Sequence, residues 1–181
     1  MVQPTRFSAR LRRPAKLAKG EPAWAFLVLP KAVSDTLPRR GRTTVALVLG
    51  AVRVQATLEP DGQLSHWLRL DEATCAAAGA KVGEELPLEL TPVDPEPEPE
   101  VPADLREALD AAPQASATWS ATTTLARLDW IHWITTAKQA KTRASRVRDA
   151  MDMLGSGKKR VCCFDPSGFY SKALKAPEEA S

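Results

Sequence analysis

The chain has 181 residues, 44% of them apolar and 26% charged, which suits one ordinary domain or two small ones and excludes a large multidomain enzyme, a fibre or wholesale disorder. The net charge of +3 hides a segregation: residues 1–93 hold 13 Lys+Arg against 9 Asp+Glu, residues 94–110 hold 1 against 7, and residues 111–181 hold 11 against 6. Two basic ends flank an acidic middle, which permits an anionic partner without demanding one, because net charge also serves solubility.

The N-terminal stretch is basic but lacks the apolar core of a secretion signal, and the longest apolar run, Val45 to Val52, is broken by Gly50. The expectation is a chain that does not insert into a membrane and resides in the cytoplasm. Six segments then read as strands: Arg6 to Arg12, Trp24 to Leu29, Thr43 to Leu49, Ala51 to Leu58, Leu64 to Leu70 and Leu86 to Leu90. In the fifth, Leu64, His66, Leu68 and Leu70 alternate with Ser65, Trp67 and Arg69, so the leucines and His66 share one face. Glu59-Pro-Asp-Gly62 is a turn signal. A faint repeat runs through this half: Phe26-Leu-Val-Leu-Pro30 and Trp67-Leu-Arg-Leu-Asp71 each lead into a short helical segment, a tight turn and another strand. Asp71 suits a helix N-cap and Gly79 the C′ position. Two such units can supply one barrel, which removes exposed sheet edges.

Thr91-Pro-Val-Asp-Pro-Glu-Pro-Glu-Pro-Glu-Val-Pro102 cannot form a helix or a ladder. It reads as a stiff, extended linker. Beyond it the period becomes helical. Pro102 to Ala111 and Pro113 to Trp119 are short helices, and Trp130, Trp133, Ala137, Ala140, Ala144, Val147, Met151 and Leu154 then form one stripe at 3-4 spacing, closed by Gly155 and Gly157. Taken literally, residues 126–154 are a single long helix whose alanines admit a close neighbour. Thr142 offers an alternative cap for a second one. The tail beyond Ala173 is expected to be flexible. The domain reading is therefore 1–93 for the strands, 94–101 for the linker, 102–160 for the helices and 161–181 for a C-terminal extension.

Trp133-Ile-x-x-Ala-Lys138, Lys141-Thr-Arg143-x-x-Arg146-Val147 and Leu154-x-x-Gly157-Lys158 together resemble the signature of the YdeI/OmpD-associated, bacteriocin-protection-like family. Phe7, Leu11, Trp24, Leu29-Pro30, Pro60-Asp-Gly62, His66 and Val82-Gly-Glu84 are similar to the small domain of unknown function that often precedes it in bacterial proteins. The resemblance implies an α+β chain: a small six-stranded, helix-capped split β-barrel of the group that includes AbrB-like transition-state regulators, followed by a small all-α domain. Relatives commonly carry proline and glutamate where this chain has Ala140 and Lys141, so the resemblance favours two helices meeting near residues 139–141, whereas the unbroken spacing favours one. It brings no catalytic residues with it.

Candidate chemistry is sparse. The chain has no zinc-finger spacing, Cys-x-x-Cys, Gly-x-Ser-x-Gly, phosphate-binding loop or dinucleotide fingerprint, so neither a metal, a cofactor nor a catalytic residue is expected. Three cysteines, two adjacent, make no disulfide framework. Cys162 and Cys163 are expected to pack as small apolar side chains and Cys75 to face the core. The absence of asparagine excludes N-glycosylation. His66 on a leucine face has two readings: a histidine hydrogen-bonded within the barrel, or the wall of a pocket shared with Trp24. Lys138, Lys141, Arg143 and Arg146 are the candidate anion-binding set, with a solvated, helix-bracing role as the plainer reading. The expected function is a non-enzymatic cytoplasmic binding protein associated with stress or bacteriocin protection, of unknown ligand. The alternative is a nucleic-acid-binding or regulatory protein that uses the basic helical region and the split barrel. A polyanion or a protein is the expected kind of partner.

Overall fold

In the computed structural model, which describes residues 3–181, the alternating segments are six antiparallel strands: β1 (Thr5–Arg10), β2 (Trp24–Val28), β3 (Thr43–Leu49), β4 (Val52–Pro60), β5 (His66–Asp71) and β6 (Glu85–Pro92). They join in the order β1-β6-β3-β4-β5-β2. The sheet curls into a half-barrel, and its two edges meet where Arg12 and Phe26 exchange backbone hydrogen bonds of 2.8 and 2.9 Å. Two short helices, α1 (Lys31–Ser34) and α2 (Glu72–Ala78), complete the α+β unit. Asp71 caps α2 by accepting from the Thr74 amide at 2.7 Å, and Gly79 closes it at φ +66°, as the residue types require.

The repeat has a structural meaning. β2-α1-β3 and β5-α2-β6 are equivalent, and equivalent strands pair with each other: β2 with β5 and β3 with β6, both antiparallel. A pseudo-two-fold relation follows. Alternation puts Ala25, Leu27, Val45, Leu47, Leu49, Leu68, Leu70, Leu88 and Leu90 into one aliphatic core, to which Val33 and Leu37 add from the α1 side and Cys75 from α2. Leu47 faces Leu90 and Leu49 faces Leu88 across β3 and β6, the type of cross-strand pair that stabilises a sheet.

The described residues fall into two compact units, one running up to Asp94 and resumed by Ser167–Ser181, the other spanning Pro95–Pro166. The C-terminal extension is thus divided between them, residues 161–166 packing with the helices and the rest with the barrel. The tail is not a free end: Glu179 accepts from Arg10 at 2.6 Å, the Ala15 amide donates to Glu178 O at 2.7 Å, and the Ala180 amide donates to Arg13 O at 2.8 Å. The chain after β1 presents unpaired backbone groups, and the tail satisfies them.

The second unit holds α3 (Ala103–Asp110), α4 (Pro113–Ala121), α5 (Thr124–Thr135) and α6 (Ala140–Gly155). Leu105, Leu109, Trp119, Trp130, Ile131, Ile134, Val147, Ala150 and Leu154 form its core. The single long helix is not formed, and no proline is needed to break it. Thr135 Oγ1 donates to Ile131 O, Thr136 Oγ1 to Trp133 O and Arg146 Nη1 to Trp133 O at 2.8, 3.1 and 2.6 Å. These side chains take up carbonyls at the end of α5, and the chain turns extended at Gln139. The stripe is corrected with it: Ala140 and Ala144 are exposed and admit no neighbour, while Ala150, off the stripe, is buried.

Candidate functional site

His66 lies at the start of β5 and is fully buried. Its Nε2 donates to Gly41 O at 2.9 Å, which leaves Nδ1 to accept from Ser34 Oγ at 2.6 Å. Both nitrogens of a neutral imidazole are thereby used. Burial pushes the His66 pKa below its ordinary value, against the opposing pull of the Gly41 carbonyl. Beside it, Ser65 Oγ donates to Leu29 O, and Asp61 accepts from the Gln63 and Ser65 amides, so the turn satisfies itself.

Trp24 does not join this site. It pairs in register with Asp71, at the far end of the β2-β5 ladder from His66, a separation of five residues or roughly 17 Å. It also lies on the opposite face of the sheet, where its ring packs with Phe26 and Trp67 at centroid distances of 6.2 and 6.4 Å. The Arg69 guanidinium sits 4.3 Å above the Trp24 ring and pairs with Glu21 at 2.9 Å. The expected pocket between Trp24 and His66 is therefore replaced by two separate arrangements. The physical reason is the period of two: Trp24 and His66 occupy opposite phases of the paired strands.

The four candidate anion-binding residues also divide. Arg143 clasps Asp104 with Nε and Nη2 at 2.7 and 3.1 Å, tying α6 to α3 and holding the Asp104 carboxyl below its usual range. Arg146 caps the end of α5 and lies over the Trp133 ring. Lys138 and Lys141 are exposed at the corner between α5 and α6. Two cations brace helices and two face solvent.

Arg127 is the residue that the sequence reading missed. Its side chain is largely buried; Nε and Nη2 donate to Glu98 and Nη1 to the carbonyls of Trp119 and Thr122. It pins the Pro-Glu segment to α5 and caps α4. The signal that pointed to it was a lone cation in the otherwise apolar start of α5, four residues after the capping Thr123, whose Oγ1 accepts from the Ala126 amide.

A cleft of about 220 Å³ opens beside α5, lined by Ala126, Asp129, Arg160, Val161, Phe164 and Pro166. Behind it the buried His132 ring meets Phe164 edge-on at 5.1 Å. Between the two apolar walls, Cys162 and Cys163 are exposed, not packed as expected, because Val161 and Phe164 take the inward positions. Cys75 is buried against the barrel core. Among the described residues no three His, Cys, Asp or Glu side chains converge as metal ligands, and no helix is long and apolar enough to cross a membrane.

Fold and site define a class: a six-stranded half-barrel followed by a helical unit with arginine-capped helices. Residues 98–157 match the family described as "Bacteriocin-protection, YdeI or OmpD-Associated", and residues 7–90 match the "Domain of unknown function (DUF1905)". The helical unit thus matches the YdeI/OmpD-associated family and the strand unit matches that second family. No curated protein matches it.

Proposed function

We propose that this chain is a non-enzymatic binding protein of the bacterial cytoplasm that takes part in the bacteriocin protection recorded in its family's description. The observation that carries the reading is the state of His66. Both ring nitrogens are committed to Ser34 and Gly41 inside a closed aliphatic core, so the polar side chain best suited to proton transfer has no access to a substrate. Arg143 and Arg146 are likewise engaged in holding helices. What remains for contact with a partner is surface: the lysine corner of Lys138 and Lys141 and the cleft beside α5. A protein partner with an acidic face fits that surface. The free cysteines suit a reducing compartment.

The test is survival. A bacterial host expressing the chain is challenged with graded doses of a bacteriocin, and more survivors are expected than from the same host with an empty vector. The His66→Gln variant should protect equally well wherever it folds. Equal survival with and without folded, soluble chain would sink the protective role; loss of protection in a folded His66→Gln protein would sink the non-enzymatic one.

A further inference from the structure

The adjacent cysteines are used by nothing described so far. Both are exposed, and their sulfur atoms lie in contact with each other. The backbone is shaped to hold them so: Cys163 sits at φ +64°, a left-handed conformation that costs a residue with a Cβ on the order of 1 kcal/mol or more and persists where the surroundings impose it. The surroundings are visible on both sides. Upstream, Lys159 O accepts from Thr122 Oγ1 at 2.8 Å and from Trp130 Nε1 at 3.2 Å; downstream, Phe164 is wedged against His132. The two anchors fix the ends of the segment and turn the thiols outward together. Lys158, Lys159 and Arg160 precede the pair and are exposed, giving the segment a basic surface that attracts an anionic small disulfide such as oxidised glutathione.

We propose that Cys162 and Cys163 form a reversible modification site, a vicinal dithiol that exchanges with low-molecular-weight disulfides to close a disulfide between neighbouring residues. The two sulfurs are within hydrogen-bonding contact, and that contact raises the Cys163 pKa above its ordinary value against a weaker opposing pull from Lys158. Cys162 is the first nucleophile. Its thiolate attacks one sulfur of the small disulfide; the sulfur–sulfur bond of the reagent breaks, one small thiolate leaves and takes a proton from water, and a mixed disulfide stands on Cys162. Cys163 then loses its proton to solvent and attacks the Cys162 sulfur, expelling the second small thiol. Two protein thiols have been oxidised by two electrons, and one small disulfide has been reduced to two thiols.

The second step is intramolecular between atoms already in contact, so the mixed disulfide should not accumulate. The closed form should be easily reopened, because adjacent Cα atoms stand about 3.8 Å apart, below the roughly 4.4 Å at which ordinary disulfides begin, and strained disulfides are the labile ones. That is the profile of a sensor or an exchange site, not of a structural bridge.

The experiment uses the full chain, equilibrated with mixtures of oxidised and reduced glutathione, quenched with an alkylating agent and digested with trypsin. Cleavage after Arg160 and Lys172 isolates both cysteines on one peptide, and cleavage after Arg69 and Lys81 leaves the buried Cys75 on another as an internal control. The expected result is a 161–172 peptide that loses two hydrogens as the oxidised fraction rises and regains them on reduction, with no glutathione attached. In Cys163→Ser the same treatment should leave one glutathione stably bound to Cys162. Both positions are exposed, so the variant should fold. A wild-type peptide that accumulates glutathione as the variant does, that links two chains, or that stays fully alkylated under conditions that load Cys163→Ser would overturn the proposal.

Discussion

The two units of this chain satisfy their backbones in opposite ways. In the half-barrel, strand carbonyls and amides find partners in neighbouring strands, the interior is aliphatic, and His66 is held inside it by Ser34 and Gly41. In the helical unit, four helices of 8 to 16 residues are too short to persist alone. Side chains satisfy their ends: Arg127 on Trp119 and Thr122, Arg146 on Trp133, and Thr122 and Trp130 on Lys159. A helix leaves carbonyls without partners at its C-terminus and a paired strand does not. Polar side chains are therefore few inside the barrel, where His66 has both ring nitrogens bonded, and many around the helix ends.

The contrast is sharpened most by His66. Replacing it with alanine strands the Ser34 hydroxyl and the Gly41 carbonyl and leaves a cavity, an expected loss of about 3 kcal/mol, read by urea denaturation followed through the strand signal. A loss under about 1 kcal/mol would mean that the barrel interior is wetter than its aliphatic lining implies.

Gly62 comes next. It sits at φ +78°, and a Cβ there would collide with the Leu174 carbonyl oxygen, so Gly62→Ala should cost roughly 2 kcal/mol and dislodge the tail. Carboxypeptidase should then trim the chain from Ser181 faster than in the wild type. An unchanged digestion rate would show that the tail is held by its contacts after β1 alone.

The pH response follows from the direction of the His66 shift. Its folded pKa lies below the ordinary 6.5, so below that pH the unfolded chain binds a proton that the folded one refuses, and stability falls as pH drops. Above it the histidine is neutral in both states and contributes no slope. The difference in unfolding free energy between wild type and His66→Gln should be flat above pH 6.5 and shrink below it, by at most about 1.4 kcal/mol per pH unit. A difference that stays constant through that range would mean that His66 accepts a proton in place.

The smallest effects separate bracing from binding. Arg146→Ala removes a cap on α5 and should cost about 1 kcal/mol. Arg143→Ala breaks a partly exposed pair with Asp104 and should cost less, on the order of 0.5 kcal/mol. Both are read by thermal unfolding of the helical signal. If the same four cations instead served a nucleic acid, duplex DNA would bind with a log-log salt slope steeper than about −4, and each arginine change would flatten it by about one. The expectation is a shallow slope and a lowered melting temperature.

What the sequence determined by itself were the elements whose signal is periodic. A period of two identified the strands and placed His66 with the leucines of β5; Asp71, Gly79 and Pro113 marked helix ends through backbone requirements that each residue type carries with it; and the Pro-Glu run marked a segment that could only be extended. Tertiary structure decided the rest, because those outcomes depend on partners far away in the chain. The 3-4 stripe was continuous, and the break between α5 and α6 comes with the arrival of Arg146 at Trp133 O beside the local Thr135 and Thr136 hydroxyls. Trp24 and His66 were plausible neighbours until strand register set them at opposite ends and on opposite faces of one ladder. The tail read as loose because nothing in its composition names the edge it completes, and Arg127 was not singled out because its carboxylate partner stands 29 positions earlier. A sequence states what each side chain prefers nearby; which distant carbonyl, edge or carboxylate it finally meets is settled only when the whole chain has closed on itself.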